Sequence, residues 1–160
     1  MAIDSIDFRR ALGHFATGIT VVSCADAEGR LYGVTVNSFN SVSLNPSLVL
    51  FSLGMDGAST PAFLAAKEYG ISMLAEGQEA VSRHFAQAQP DKWATTPHDV
   101  LGNGCPVVRG SMAHLSCRRY ALYGGGDHTI VVAEVMQAVF HTPELPPLLY
   151  FRGSYRSLQK

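Results

Sequence analysis

The sequence predicts a mainly β fold: a closed or half-open antiparallel β-barrel with α-helices attached. Three observations predict it. Two long runs, "SMAHLSCRRYALY" and "HTIVVAEVMQAVF", flank "GGGD" as the arms of a hairpin flank its turn. "ITVVSCA" is rich in β-branched residues and "SLVLFSL" is a short apolar run, both as strands should be. Helical patterns are few and do not alternate with strands in the regular way a βαβ fold requires. Roughly six or seven strands and about three short helices account for the chain.

The elements follow in order. Phe8, Leu12 and Phe15 lie on one face of an opening amphipathic helix, with Gly18 placed to end it. Ile19–Ala25 is the first strand, "DAEGR" its turn, and "LYGVTVNSF" its hairpin partner. The stretch "GVTVNSFNSVSLNP", Gly33 to Pro46, alternates polar Thr35, Asn37, Ser41, Ser43 and Asn45 with apolar Val34, Val36, Val42 and Leu44. That two-residue period gives extended chain one face of short, neutral hydrogen-bonding groups. Ser47–Leu53 is a third, buried strand. "ASTPAFLAAKE" starts a helix, with Thr60 as N-cap and Pro61 in the first turn. "YGISML" is a further strand, and "EGQEAVSRHFAQAQ" a helix with Val81 and Phe85 four apart. Pro90 to Pro106 reads as an irregular surface excursion, and "PPLLYFRGSYRSL" as one closing strand.

Bulk properties narrow the function classes. The 160 residues suit one domain over 1–160, long enough to bury a core without metals or disulfides. The chain is 47% hydrophobic and 16% charged, with net charge −1, so neither nucleic acid nor an anionic membrane is indicated as a partner. No apolar run reaches the roughly 18 residues of a membrane span. "MAIDSIDFRR" lacks the apolar core of a signal peptide. Cys24, Cys105 and Cys117 form no CxxC pair and read as thiols in a reducing cytoplasm. The six histidines show no ligand spacing, so no metal is expected.

Motifs for other chemistries are missing. "GNGCPV" and "GGGDHT" do not fit the dinucleotide fingerprint GxGxxG, and no serine sits in a GxSxG elbow. The hydroxyl-rich stretch has a plain reading as a solvated sheet face. Ser59 and Thr60, however, stand at a helix start, where N–H groups and the dipole suit a phosphate. Gly and Asp are ordinary turn residues in "GGGDHT", but turn chemistry does not require His128.

Taken together, "FRRALGHFATGITVVS", "GVTVNSFNSVSLNPSLVLFSL", "STPAF", "GDH" and "LLYFRGSY" cover nearly the whole chain in order. In these segments the sequence resembles the flavin reductase family, the short reductase components of two-component flavin monooxygenases. The resemblance implies an FMN-binding split barrel, a Greek-key antiparallel barrel working as a homodimer with flavin near the subunit interface. It implies hydride transfer from NADH or NADPH to FMN, FAD or riboflavin, and a separate monooxygenase receiving the reduced flavin. Thr35, Val36, Asn37 and Ser38, with Ser41, Val42 and Ser43, would meet the isoalloxazine edge and ribityl-phosphate side. Ser52, Ser59 and Thr60 would cradle the phosphate, and Phe85 would wall the pocket. His128 would lie near the nicotinamide, with Tyr155 bordering that region. No side chain is expected as a nucleophile or general acid.

The chain departs from the family where many relatives carry Lys or Arg just before "ST". Here the loop is "GMDGAS", with Asp56, and no Lys or Arg stands between Arg30 and Lys67. Phosphate would then rely on hydroxyls and N–H groups, or on Arg83 or Arg152. Three other classes compete: a non-catalytic flavin carrier on the same barrel; an oxidase of the pyridoxamine-phosphate type, whose substrate phosphate wants basic residues the pocket region lacks; and a structural β-barrel with no ligand, which the ordered set of motifs disfavours.

Overall fold

The structure, a computed structural model, describes residues 3–141 and 145–158, so the ends of the expected 1–160 span lie outside it. It is mainly β. Helix α1 (Ser5–Leu12) is capped by Asp4, whose carboxylate accepts from the Ile6 and Asp7 N–H groups at 2.8 and 3.4 Å. Its C-cap is Gly13; Gly18, expected to end it, belongs instead to strand β1 (Thr17–Gly18). The helix buries none of its residues, and Phe8, Leu12 and Phe15 are 50%, 56% and 74% exposed. The amphipathic pattern is present, but among the described residues no element buries its apolar face.

Strands β2 (Thr20–Ala25) and β3 (Leu31–Val36) form the expected hairpin. Asp26 holds its turn, accepting from the Glu28 and Arg30 N–H groups. The stretch Gly33 to Pro46 is not one strand. It breaks at Asn37–Phe39 into the end of β3 and a separate strand β4 (Asn40–Leu44), which pairs with β5 (Ser47–Gly54). Helix α2 (Thr60–Ala65) begins at an N-cap of Ser59, one residue before the predicted Thr60. Strand β6 (Glu68–Met73) and helix α3 (Glu79–Ala86) stand where predicted.

The excursion after Pro90 carries a 3-10 turn (Lys92–Thr95) and strand β7 (His98–Val100), which pairs with β8 (Pro106–Val108). Two 13-residue strands follow, β9 (Ala113–Gly125) and β10 (His128–Phe140). The predicted closing strand is a pair, β11 (Leu149–Phe151) and β12 (Ser154–Arg156), turned by Arg152 and Gly153 at φ +50 and +75. With β1 they form a small sheet.

The main sheet has seven strands in the order β3-β2-β6-β9-β10-β5-β4. Strand β2 is buried on both faces because a core lies on each. Val22 packs with Phe51, Tyr69, Ile71 and Val131 on one side; Val21 packs with Leu74, Phe85 and Trp93 on the other. Its sequence therefore does not alternate, and its two hydroxyl residues, Thr20 and Ser23, are buried and donate to backbone carbonyls.

The two edges of the sheet, β3 and β4, are consecutive in the chain, and the sheet curls so that β3 approaches β5. Ser38 Oγ accepts from the Ser52 N–H at 2.9 Å and donates to the Ser52 carbonyl at 3.4 Å. The barrel is thus closed at this seam by a side chain instead of a backbone ladder. Cys24, Cys105 and Cys117 are free and buried, and burial pushes each thiol up to about 12. Among the described residues no helix is long and apolar enough to cross a membrane.

Candidate active site

The outward edge of β5 explains the hydroxyls around it. Leu48 and Leu50 pair with β4, but β4 goes no further along β5. Ser52 then takes its partners from the Ser38 hydroxyl, and the Gly54 carbonyl accepts from Thr60 Oγ1 at 2.7 Å and from the Gly57 N–H at 3.2 Å. Short hydroxyl side chains replace the missing strand, because unpaired backbone groups in a half-buried position are costly. Gly57 has to be glycine for this: a Cβ there would stand 2.7 Å from Thr60 Oγ1.

A cleft of about 500 Å³ opens where the pairing stops. Thr35, Val36, Asn37 and Ser38 line it from the end of β3, Ser52 from β5, and Ser59 and Thr60 from the start of α2. His128, at the start of β10, closes one side. The histidine is set there by register, opposite Gly54 in β5, and by the Met55 N–H donating to the Asp127 carbonyl at 3.0 Å.

Other predicted residues lie apart. Ser41, Val42 and Ser43 are on edge strand β4, outside the cleft. Phe85 is fully buried and backs a second, adjoining cavity. Tyr155 is on β12, its hydroxyl 2.9 Å from Ser82 Oγ, and lines neither. It touches the site only indirectly, since Thr35 Oγ1 donates to the Ser82 carbonyl at 2.6 Å. Arg83 is held by Glu79 and Arg152 lies over the Phe151 ring, so neither suggested phosphate partner lines the cleft. Sequence reasoning missed Ile130, Leu53 and Gly125 in the cleft wall; the β-hairpin register signals them only once β5 is known to pair with β10.

Donor and acceptor roles can be assigned. Thr35 and Thr60 commit their hydroxyl hydrogens to backbone carbonyls, so toward a ligand they can only accept. Among the described residues the Asn37 amide and the Ser52 and Ser59 hydroxyls keep free hydrogen-bonding capacity. His128 Nδ1 lies 2.7 Å from an Asp127 carboxylate oxygen. That hydrogen bond, reinforced by the charge of the ring when protonated, holds the Asp127 carboxyl below its usual range. With the Asp127 carboxylate as acceptor, His128 Nδ1 is the donor of this bond, which leaves Nε2 to face a ligand.

An uncharged cleft with alternating donors and acceptors fits a planar heteroaromatic ligand with carbonyls and ring N–H groups along one edge. Residues 12–159 match the family of the flavin reductase like domain. The chain belongs to the flavin reductase family. It is 41% identical to an NADH-dependent FAD reductase of Streptomyces globisporus, over 96% of this chain and 85% of that one. It is also 41% identical to the reductase component of a 4-hydroxyphenylacetate 3-monooxygenase of Thermus thermophilus, over 94% and 95%. Among solved structures, a Streptomyces globisporus NADH:FAD oxidoreductase in complex with NAD and FAD fragments superposes with a TM-score of 0.92 at 38% identity. That match covers 98% of this chain and 93% of the other. The seam of a flavin reductase is thus where its neutral cleft lies in this chain.

Proposed function

We propose that this protein is an NAD(P)H-dependent flavin reductase that transfers a hydride from NADH or NADPH to FMN or FAD. The carrying observation is the uncharged, hydroxyl-lined cleft at the sheet seam in a chain of this family. The reduced flavin passes to a separate flavin-dependent monooxygenase, since its relatives from Thermus thermophilus and Rhodococcus jostii are reductase components of such enzymes.

When bound, the flavin supplies N5 as the hydride acceptor facing nicotinamide C4. The chain's residues bind and orient. Thr35, able only to accept, suits the flavin N3–H, while Asn37 and the end of β3 supply donors to the ring carbonyls. Ser52 and Ser59 suit the ribityl and phosphate oxygens. His128 Nε2 suits the carboxamide N–H of the nicotinamide, fixing the face-to-face approach without moving a proton. Tyr155 acts behind Thr35, through Ser82. Phe85 stands behind the second cavity. Ser41, Val42 and Ser43 reach the flavin only if a second copy folds the edge strand toward its site.

A homodimer is part of this reading. Leu44, Phe140 and Phe15 are 93%, 77% and 74% exposed, and a second copy is the partner this reading gives to such apolar side chains. The buried unpaired thiols favour the cytoplasm. Residues 1–160 are taken as one domain.

The test is anaerobic mixing with NADH or NADPH and each flavin, following loss of oxidised-flavin absorbance. Turnover is expected; binding without turnover would instead make the protein a carrier. His128→Ala should raise the KM for the pyridine nucleotide about tenfold, the loss of one good hydrogen bond, with flavin Kd nearly unchanged. An unaltered nucleotide KM removes His128 from that role.

A further inference from the structure

The cleft does not end at Ser59. A second cavity of about 880 Å³ meets it there, sharing Val34, Gly57 and Ser59 as common wall. Its size lies in the roughly 300–1,000 Å³ range of small-molecule sites. Leu31, Tyr32, Phe85 and Pro90 give it apolar and aromatic surface, and Gln87 an amide.

Its charge distribution is specific. Three charged residues line it, the cations Arg30 and Lys92 and the carboxylate Asp91. Arg30 is already paired with Asp26 at 2.7 Å and Glu28 at 3.5 Å. Lys92 Nζ donates only to two backbone carbonyls, Phe85 at 2.9 Å and Gly33 at 3.2 Å. Among the described residues no carboxylate forms an ion pair with it, and an ammonium has a third hydrogen to give. Burial lowers its pKa from the ordinary lysine value, as fits a cation with no carboxylate beside it. The joined space thus holds one ammonium that no carboxylate pairs with, Lys92, in a lining that also carries the Asp91 carboxylate, and this ammonium belongs to the cavity beyond Ser59.

We propose that the second cavity takes the adenylate half of FAD, with the diphosphate running past Gly57 and Ser59 toward Lys92, so that this chain selects FAD over FMN. The proposal rests on the flavin reductase reading. It assigns the cavity to the flavin and not to the nicotinamide donor because the junction lies at Ser59, whereas His128, Gly125 and Ile130 do not reach the second cavity. The diphosphate then meets the charge that the "GMDGAS" loop lacks. The adenine meets aromatic wall and a neutral amide.

Calorimetric titration of the purified chain with FAD, FMN and AMP tests this without requiring turnover. FAD should bind at least tenfold more tightly than FMN, and AMP should displace FAD but not FMN. Lys92→Gln should bring the FAD:FMN affinity ratio toward one. So should Ala88→Trp, which fills the cavity from an exposed position and leaves the core intact. Equal affinity of the native chain for both flavins overturns the proposal. AMP competing with NADH in steady state, while FAD saturation is unmoved, overturns it in favour of the hydride donor. Binding of neither flavin sinks the reductase reading itself, whereas binding of both alike sinks only the adenylate assignment.

Discussion

Between β9 and β10 the backbone ladder runs from the His128–Gly125 pair to the Phe140–Ala113 pair, whereas between β3 and β5 the side chain of Ser38 makes the join. The two regions belong to one curled sheet and do opposite things with their backbone. Between the two strands of the ladder the facing N–H and C=O groups pair, apart from register shifts at Val132/Ala133 and Val135/Gln137, so little there is left to recognise a ligand. At the seam the strands part, and their polar groups are met by Ser38 and Thr60 or left to face the cleft. A binding site made from neutral hydrogen-bonding groups belongs where a sheet stops pairing with itself. The long hairpin contributes mainly its tip, where Gly125, His128 and Ile130 meet the cleft.

If the seam depends on close packing as the ladder does not, the largest effect should come from Gly33→Ala. Gly33 lies in β3 directly under the buried Phe85 ring, and a Cβ there would stand 2.5 Å from Phe85 Cε1 and 3.0 Å from Trp93 Cζ2. Phe85 and Trp93 are themselves packed at 4.6 Å between ring centroids, so neither can retreat freely. Overpacking of this kind costs about 1–3 kcal/mol or more. Urea unfolding should show the loss, and flavin affinity should fall with it because β3 carries Thr35 to the cleft. A native unfolding midpoint would mean that the wall behind the seam is soft.

Ser38→Ala comes next. It removes the acceptor of the Ser52 N–H and the donor to the Ser52 carbonyl. Leaving half-buried backbone groups without a partner costs about 1–3 kcal/mol, toward the lower end where water can reach them. The seam should loosen and flavin Kd should rise about tenfold, measured by fluorescence titration. Unchanged flavin binding together with lost stability would make Ser38 a latch and not part of the cleft.

This contrast also decides what could be read from the residues. The long hairpin was legible because β-branched periodicity and a triple glycine are local signals. The polar alternation from Thr35 to Asn45 was legible too, but not its division: Asn37 and Ser38 are turn residues as well as members of the polar pattern, and the sequence alone does not decide between the two. That β3 and β4 are opposite edges of one sheet follows from pairing with distant β2 and β5, which periodicity cannot report. Thr60 reads as a helix cap because Pro61 follows it, yet its hydroxyl is drawn to the Gly54 carbonyl and Ser59 takes the N-cap position. The face of α1 was legible as apolar, but amphipathicity says that a surface is covered without saying by which chain. Lys92 was missed because it lies in a segment broken by prolines, and only the fold brings it to Gly33.

The smallest effect is the sharpest control, because it repeats the largest with one variable changed. Gly124 stands in β9 near the hairpin tip, and a Cβ built there meets nothing within 4 Å. Its φ lies outside the left-handed region, so alanine fits the backbone without strain. Gly124→Ala should therefore be neutral, or stabilise by about 0.4–1 kcal/mol through the reduced freedom of the unfolded chain. The same added methyl group thus discriminates between two strands of one sheet. At Gly33 it strikes a ring that props the cleft, and at Gly124 it enters water. If urea midpoints show the two alanine variants equally destabilised, close packing is not what distinguishes the seam from the ladder. The cleft's position would then need a cause other than where the backbone ceases to pair.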